Sequence, residues 1–179
     1  MTRFVALLLA ALAATPAPPP ELPPLACPEG TEQRGAPPPD GFEAWCERPG
    51  APSERRREGP WLTWYEDGRP ARSASMKEGR FNGPFKEWHR NGKLARAGAY
   101  RDGEREGRWT VWFESGVEEE SANYSGGERH GPLVTYWPSG KHKAEGRFCH
   151  GLQCGTWTTW DEGGRVLGQV VYEEIRRSP

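Results

Sequence analysis

Gly107-Arg-Trp109-Thr-Val-Trp112-Phe113-Glu-Ser-Gly116 opens a unit of 24 residues that occurs five times, without insertion, between residues 59 and 174. The copies begin at Gly59, Gly83, Gly107, Gly131 and Gly155. Two places on stand Trp61, Phe85, Trp109, Leu133 and Trp157. Five places on stand Trp64, Trp88, Trp112, Tyr136 and Trp160, and seventeen on Met76, Tyr100, Tyr124, Phe148 and Tyr172. Glycine returns nine places on (Gly68, Gly92, Gly116, Gly140, Gly164) and twenty on (Gly79, Gly103, Gly127, Gly151). A fixed period of this length marks a repeat architecture, in which each unit covers its apolar face with its neighbour.

Within each copy an aromatic run, a turn signal and a second run ending in an aromatic follow one another. Asp67-Gly68 and Asn91-Gly92 predict two-residue type I′ turns, because both central residues of that turn need positive φ. Each copy is then one β-hairpin. The turn sets a register: Trp64 opposite Ala71, Trp61 opposite Ala74, Gly59 opposite Met76. The equivalent pairs are Trp109 with Ala122, Gly107 with Tyr124, and Phe85 with Gly98, so that large rings face small residues. Strand alternation puts the two-place and seventeen-place rings on one face and the five-place rings on the other, unless a bulge intervenes. The expected fold is all-β: an elongated antiparallel meander of about five stacked hairpins behind a disordered proline-rich N-terminus.

The chain has 179 residues and a net charge of −1, which excludes a bulk electrostatic pull toward nucleic acid or anionic lipid. Its low aliphatic content would suit a disordered chain. Nine tryptophans and regularly spaced glycines overrule that for residues 59–174, and require a core made of aromatic faces. Residues 1–14 read as a signal peptide: Arg3, an apolar run from Phe4 to Ala14, and the small residues of Ala11-Leu-Ala13 at a cleavage site. The run is too short to span a bilayer, so a periplasmic or secreted protein without an integral membrane segment in the mature chain is expected.

Residues 15–26 form a Pro-rich tether. Leu25-Ala26-Cys27 permits a lipid anchor at Cys27, but the tether separates it from the apolar run, and anchoring is the less favoured reading. Residues 27–58 form a Cys-containing N-terminal cap, with one irregular hairpin around Phe42–Arg48, and residues 175–179 a tail. Export favours disulfides. Of the three connectivities, Cys27–Cys46 with Cys149–Cys154 is the economical one. Cys149 and Cys154 placed directly opposite would set Phe148 against Gly155. The charges following Val170-Val-Tyr172, beginning with Glu173 and Glu174, are expected to guard the last edge against pairing.

The unit Gly-x-Trp-x-x-Trp-Phe-x-x-Gly, with its charged strand, aromatic and second glycine turn, resembles the MORN repeat variant of bacterial proteins over about residues 59–174. The resemblance implies stacked hairpins and a binding or scaffolding role. Some members carry the label of YwqK-type antitoxins. Leu133, Tyr136 and Asp161 depart from the pattern.

No catalytic constellation stands out. His89 takes the place of Tyr65 and Phe113 as a ring substitute; His130 and His150 read as turn residues, and His142 lies on a charged strand. None stands beside a Ser or Cys with an acidic orienter. A metal site from Cys149, His150, Cys154 and His130 is disfavoured by the expected disulfide, and no cofactor is implied. The candidate partner-binding residues are Trp64, Trp88, Trp112, Tyr136 and Trp160, since a single-layer sheet hides both faces poorly. Three readings follow: a non-enzymatic scaffold for another envelope protein, a module gripping cell-wall glycan with an exposed Trp ladder, or an immunity-type protein by family label.

Overall fold

The computed structural model describes Leu22 and residues 25–173. Twelve strands form one antiparallel sheet whose spatial order follows chain order from end to end. They pair as hairpins: β1 (Glu32–Ala36) with β2 (Glu43–Glu47), β3 (Arg57–Trp64) with β4 (Pro70–Lys77), and β5 (Arg80–Trp88) with β6 (Leu94–Arg101). Then come β7 (Glu104–Trp112) with β8 (Glu118–Ser125), β9 (Glu128–Tyr136) with β10 (His142–Cys149), and β11 (Leu152–Trp160) with β12 (Val166–Tyr172). A single 3-10 turn, Ser53–Arg55, is the only helical element among the described residues. The all-β meander is as expected, but it is longer by one hairpin. The segment 27–58 supplies β1 and β2, and β2 pairs with β3 so that Trp45 faces Trp61. The cap is thus part of the sheet. The signal segment, most of the tether and the tail lie outside the described residues.

The inner registers hold as read: Trp61 opposite Ala74, Gly59 opposite Met76, Phe85 opposite Gly98, and Trp109 opposite Ala122. The turns do not. Gly68 donates to the Tyr65 carbonyl at 2.9 Å, and Tyr65 to the Arg69 carbonyl at 2.8 Å, which encloses a three-residue loop. Gly68 has φ 82°, but Asp67 is not among the positive-φ residues, so this is a type I turn closed by a left-handed glycine. The additional residue is absorbed as a bulge, and Trp64 faces Pro70 instead of Ala71. The type I′ turns lie between repeats. Glu78-Gly79, Asp102-Gly103, Gly126-Gly127 and His150-Gly151 have positive φ at both positions, in two-residue loops flanked by pairs such as Lys77 with Arg80.

The last of these turns also corrects the cysteine placement. With only His150 and Gly151 in the loop, Cys149 faces Leu152, Arg147 faces Cys154 and Phe148 faces Gln153. The Cys149–Cys154 bond therefore runs diagonally, with Cα atoms 5.8 Å apart, and Phe148 does not meet Gly155. Cys27 and Cys46 are bonded as expected, their Cα atoms 5.4 Å apart. His130 proves to lie within β9, its ring 5.2 Å from that of His150.

The core is a ribbon of rings on one face. Trp61, Phe85 and Trp109 are buried with Ala74 and Met76, and Phe81, Tyr100 and Tyr124 pack against them. Successive centroids lie 5.5 Å (Phe85–Tyr100), 4.9 Å (Tyr100–Trp109) and 6.4 Å (Trp109–Tyr124) apart, mostly edge to face, the arrangement that ring quadrupoles favour. Leu133, Ala122 and Trp157 continue the ribbon with Phe148. Trp109 lies over Gly98 and its indole N–H donates to the Ala99 carbonyl at 3.0 Å. Trp157 repeats this over Gly146, donating to the Arg147 carbonyl at 3.1 Å.

Candidate functional site

The five-place residues stand where strands β3, β5, β7, β9 and β11 run into the three-residue turns, just before the bulge. Their rings are covered rather than open. Trp88 is buried at 7% exposure, and Trp64, Trp112, Tyr136 and Trp160 are half-buried. The expected open ladder of exposed rings is therefore not formed. The six-place residues explain part of the burial. The Tyr65 hydroxyl donates to the Trp88 carbonyl at 2.6 Å, and the Trp137 indole to the Trp160 carbonyl at 3.2 Å. His89 Nε2 lies 2.8 Å from the Trp112 carbonyl, which calls for the proton on that nitrogen. Each side chain reaches into the next repeat and ties adjacent turns together. Turn side chains add to this: Asn91 and Lys93 donate to the Glu114 and Ser115 carbonyls, one repeat further on.

Along this margin two hollows of about 500 Å3 and about 610 Å3 adjoin, sharing Val111, Glu119 and Glu120. Trp88, Trp112 and His89 line the first; Phe113, Tyr136 and Trp137 line the second. The structure thus brings three of the five candidate rings into one trough, whereas Trp64 and Trp160 line neither hollow. The walls are charged. Glu87 sits between Arg72 at 3.1 Å and Arg96 at 2.5 Å. Arg129 donates to both oxygens of Glu120, at 2.8 and 3.0 Å. Glu119 is exposed and forms no ion pair among the described residues. Lys143 stands over the Trp137 ring at 4.8 Å, a cation–π contact.

Two arginines that the sequence reading did not single out, Arg105 and Arg129, belong to the ring ribbon. Arg105 lies 4.7 Å over Trp109 and donates to the Tyr124 hydroxyl at 3.1 Å, and Arg129 lies 5.4 Å over Phe148. Desolvation by burial acts to lower the pKa of each. The tyrosine hydroxyls around Arg105, and Tyr124 with Glu120 around Arg129, outweigh it and hold both above the ordinary value. The guanidinium plane substitutes for an aromatic ring, and the signal was available, because both occupy the place of Phe81 in their repeats. Among the described residues no group of three or more His, Cys, Asp or Glu is placed to hold a metal ion.

The molecule is a linear β-hairpin repeat protein with an aromatic trough of mixed charge along one margin. The family model of the MORN repeat variant matches residues 81–102 and 129–150, the second and fourth copies, in the same phase of the unit. These two segments are similar to repeats of a family that is generally non-enzymatic. No curated protein matches the chain. No helix among the described residues is long and apolar enough to cross a membrane, and the two disulfides are compatible with an exported protein.

Proposed function

We propose that the protein is a non-enzymatic interaction scaffold at the cell envelope that holds an extended segment of a partner protein in the trough along its three-residue turns. The observation that carries this is Glu119, exposed and without an ion pair among the described residues, in a depression that runs from Trp88 of the second copy past Trp112 to Tyr136 of the fourth. A Lys or Arg of the partner pairs with Glu119, and the neighbouring apolar residue packs on the rings, a combination suited to peptide recognition. Glycan recognition would need open ring faces, and the partial burial of these rings favours the peptide reading.

The test pans a random peptide library against the purified protein and against Glu119→Lys. Enriched peptides should carry a basic residue beside an apolar one, and should lose roughly tenfold or more in affinity to the variant, the loss of a charged contact of 1.4 kcal/mol or more. Absence of enrichment, together with retention on insoluble cell-wall polysaccharide that Trp112→Ala abolishes, would refute it in favour of the glycan module.

A further inference from the structure

The last strand carries an interaction surface of its own. Among the described residues β12 pairs only with β11, and its other edge of backbone N–H and C=O groups is unpaired. All seven of its residues are exposed, including Val171 at 74% and Leu167 at 61%. It holds neither charge nor proline, the usual guards of an edge. The protective charges expected here begin at Glu173, after the strand ends.

The edge is closed to a further unit of the chain's own type. Ala74, Gly98, Ala122 and Gly146 hold equivalent places in the inner repeats, and there they meet Phe85, Trp109, Leu133 and Trp157 of the following repeat, an indole lying directly over Gly98 and Gly146. A Cβ on Gly98 or Gly146 would come within 2.3 or 2.2 Å of that indole. β12 has Val170 at this place, so an incoming Trp-bearing strand is excluded.

Its sequence is instead complementary to itself when reversed. Around Gln169, Arg165 falls opposite Glu173, Val166 opposite Tyr172, Leu167 opposite Val171, and Gly168 opposite Val170. Apolar residues meet along the strand, the bulky Val170 meets the one glycine, and beyond the strand ends Glu173 falls beside Arg165, whose guanidinium also pairs with Asp161 of its own turn. The other edge, β1, has five residues with the charged Glu32 and Arg34 among them, and lacks this symmetry. We propose that β12 pairs antiparallel with β12 of a second copy, about a two-fold axis through Gln169, so that two chains share one continuous sheet. Such an isologous contact closes on itself and does not propagate.

Sedimentation of the full purified chain with disulfides intact should show a concentration-dependent monomer–dimer equilibrium at micromolar protein. Leu167→Lys with Val171→Lys should give a monomer whose far-UV circular dichroism is unchanged, since both side chains project from the edge strand into solvent. Gln169→Cys should cross-link to itself on mild oxidation. Leu167→Cys should not, except when mixed with Val171→Cys. A chain that stays monomeric throughout refutes the proposal. So does a dimer that survives the lysine pair, or one that cross-links through Arg34→Cys in place of Gln169→Cys.

Discussion

Gly98→Ala isolates the contact on which the ribbon depends. Gly98 does not have positive φ, so alanine meets no backbone strain there. The new Cβ would lie 2.3, 2.4 and 2.6 Å from three atoms of the Trp109 indole, where carbon atoms rest at about 3.5–4.0 Å. The overlap exceeds an ångström and falls on a rigid ring, so the indole must lift. Overpacking of this kind costs about 1–3 kcal/mol. Lifting the ring also breaks the indole bond to the Ala99 carbonyl, about 1 kcal/mol more. A total loss of about 2–4 kcal/mol follows, read as a fall in the urea midpoint at unchanged m and fixed protein concentration. Gly168→Ala is the control, because nothing lies within 4 Å of its Cβ position and its φ is ordinary. In the monomeric Leu167→Lys, Val171→Lys background it should be neutral, or stabilising by up to about 1 kcal/mol through the unfolded state. In a Trp109→Ala background the Gly98→Ala penalty should vanish, giving a coupling energy of similar size. Equal midpoints for the wild type and Gly98→Ala, or a penalty that persists without Trp109, would refute ring-over-glycine packing as the source of stability.

Tyr65→Phe removes the hydroxyl that joins the first repeat to the Trp88 carbonyl, and should cost about 1 kcal/mol by denaturant titration. Of the disulfides, Cys27–Cys46 spans 19 residues and Cys149–Cys154 only 5, so replacing the first pair by serine should be the more costly, by the loop-closure argument about 3 kcal/mol. Hydrogen exchange should then show β1 and β2 opening before the remaining strands. Asp161 is held below the usual carboxylate range, chiefly by the Arg165 backbone N–H. A folded value below the unfolded one means stability that is present above the unfolded value and lost as pH falls through the folded one. The Arg165 amide signal should therefore shift on acidification, and Asp161→Asn should flatten that titration.

Much of this fold could be read from residue order, and the parts that could not have identifiable causes. Facing pairs such as Trp109 with Ala122 were legible because a ring needs a small residue across from it, whichever turn closes the hairpin. Turn types were not, since Asp67-Gly68 and Glu78-Gly79 both offer a glycine at the required place. What separates them is a bulge beside Trp64, which depends on backbone count rather than residue preference. Strand alternation also does not show the ties from Tyr65, His89 and Trp137 across the carbonyls of Trp88, Trp112 and Trp160, so the exposed ladder was misjudged while three of its members still reached the trough. Arg105 and Arg129 escaped notice because a charged side chain ordinarily reads as solvated, although each stem and guanidinium can cover a ring.

The departures of the last copy from the pattern become intelligible once its position is considered. Tyr65, His89 and Trp137 each reach a carbonyl of the following repeat, and Phe113 fills the place without a donor. Asp161 makes no such tie among the described residues, and accepts instead from its own turn at the Arg165 N–H, 2.9 Å away. Val170 stands where inner copies need Ala or Gly for a neighbour's ring. In the described sheet β11 and β12 form the outermost hairpin, whose outer groups are satisfied from within it, and these two substitutions are of that kind. The same logic limits what a ring substitution can reveal about binding. The carbonyls of Trp88, Trp112 and Trp160 anchor the ties between repeats, so loss of partner affinity on truncating such a ring mixes a lost contact with a loosened sheet. Glu119, exposed and without an ion pair, takes part in none of these ties, and an affinity change at Glu119 is therefore the cleaner measure of what the trough holds.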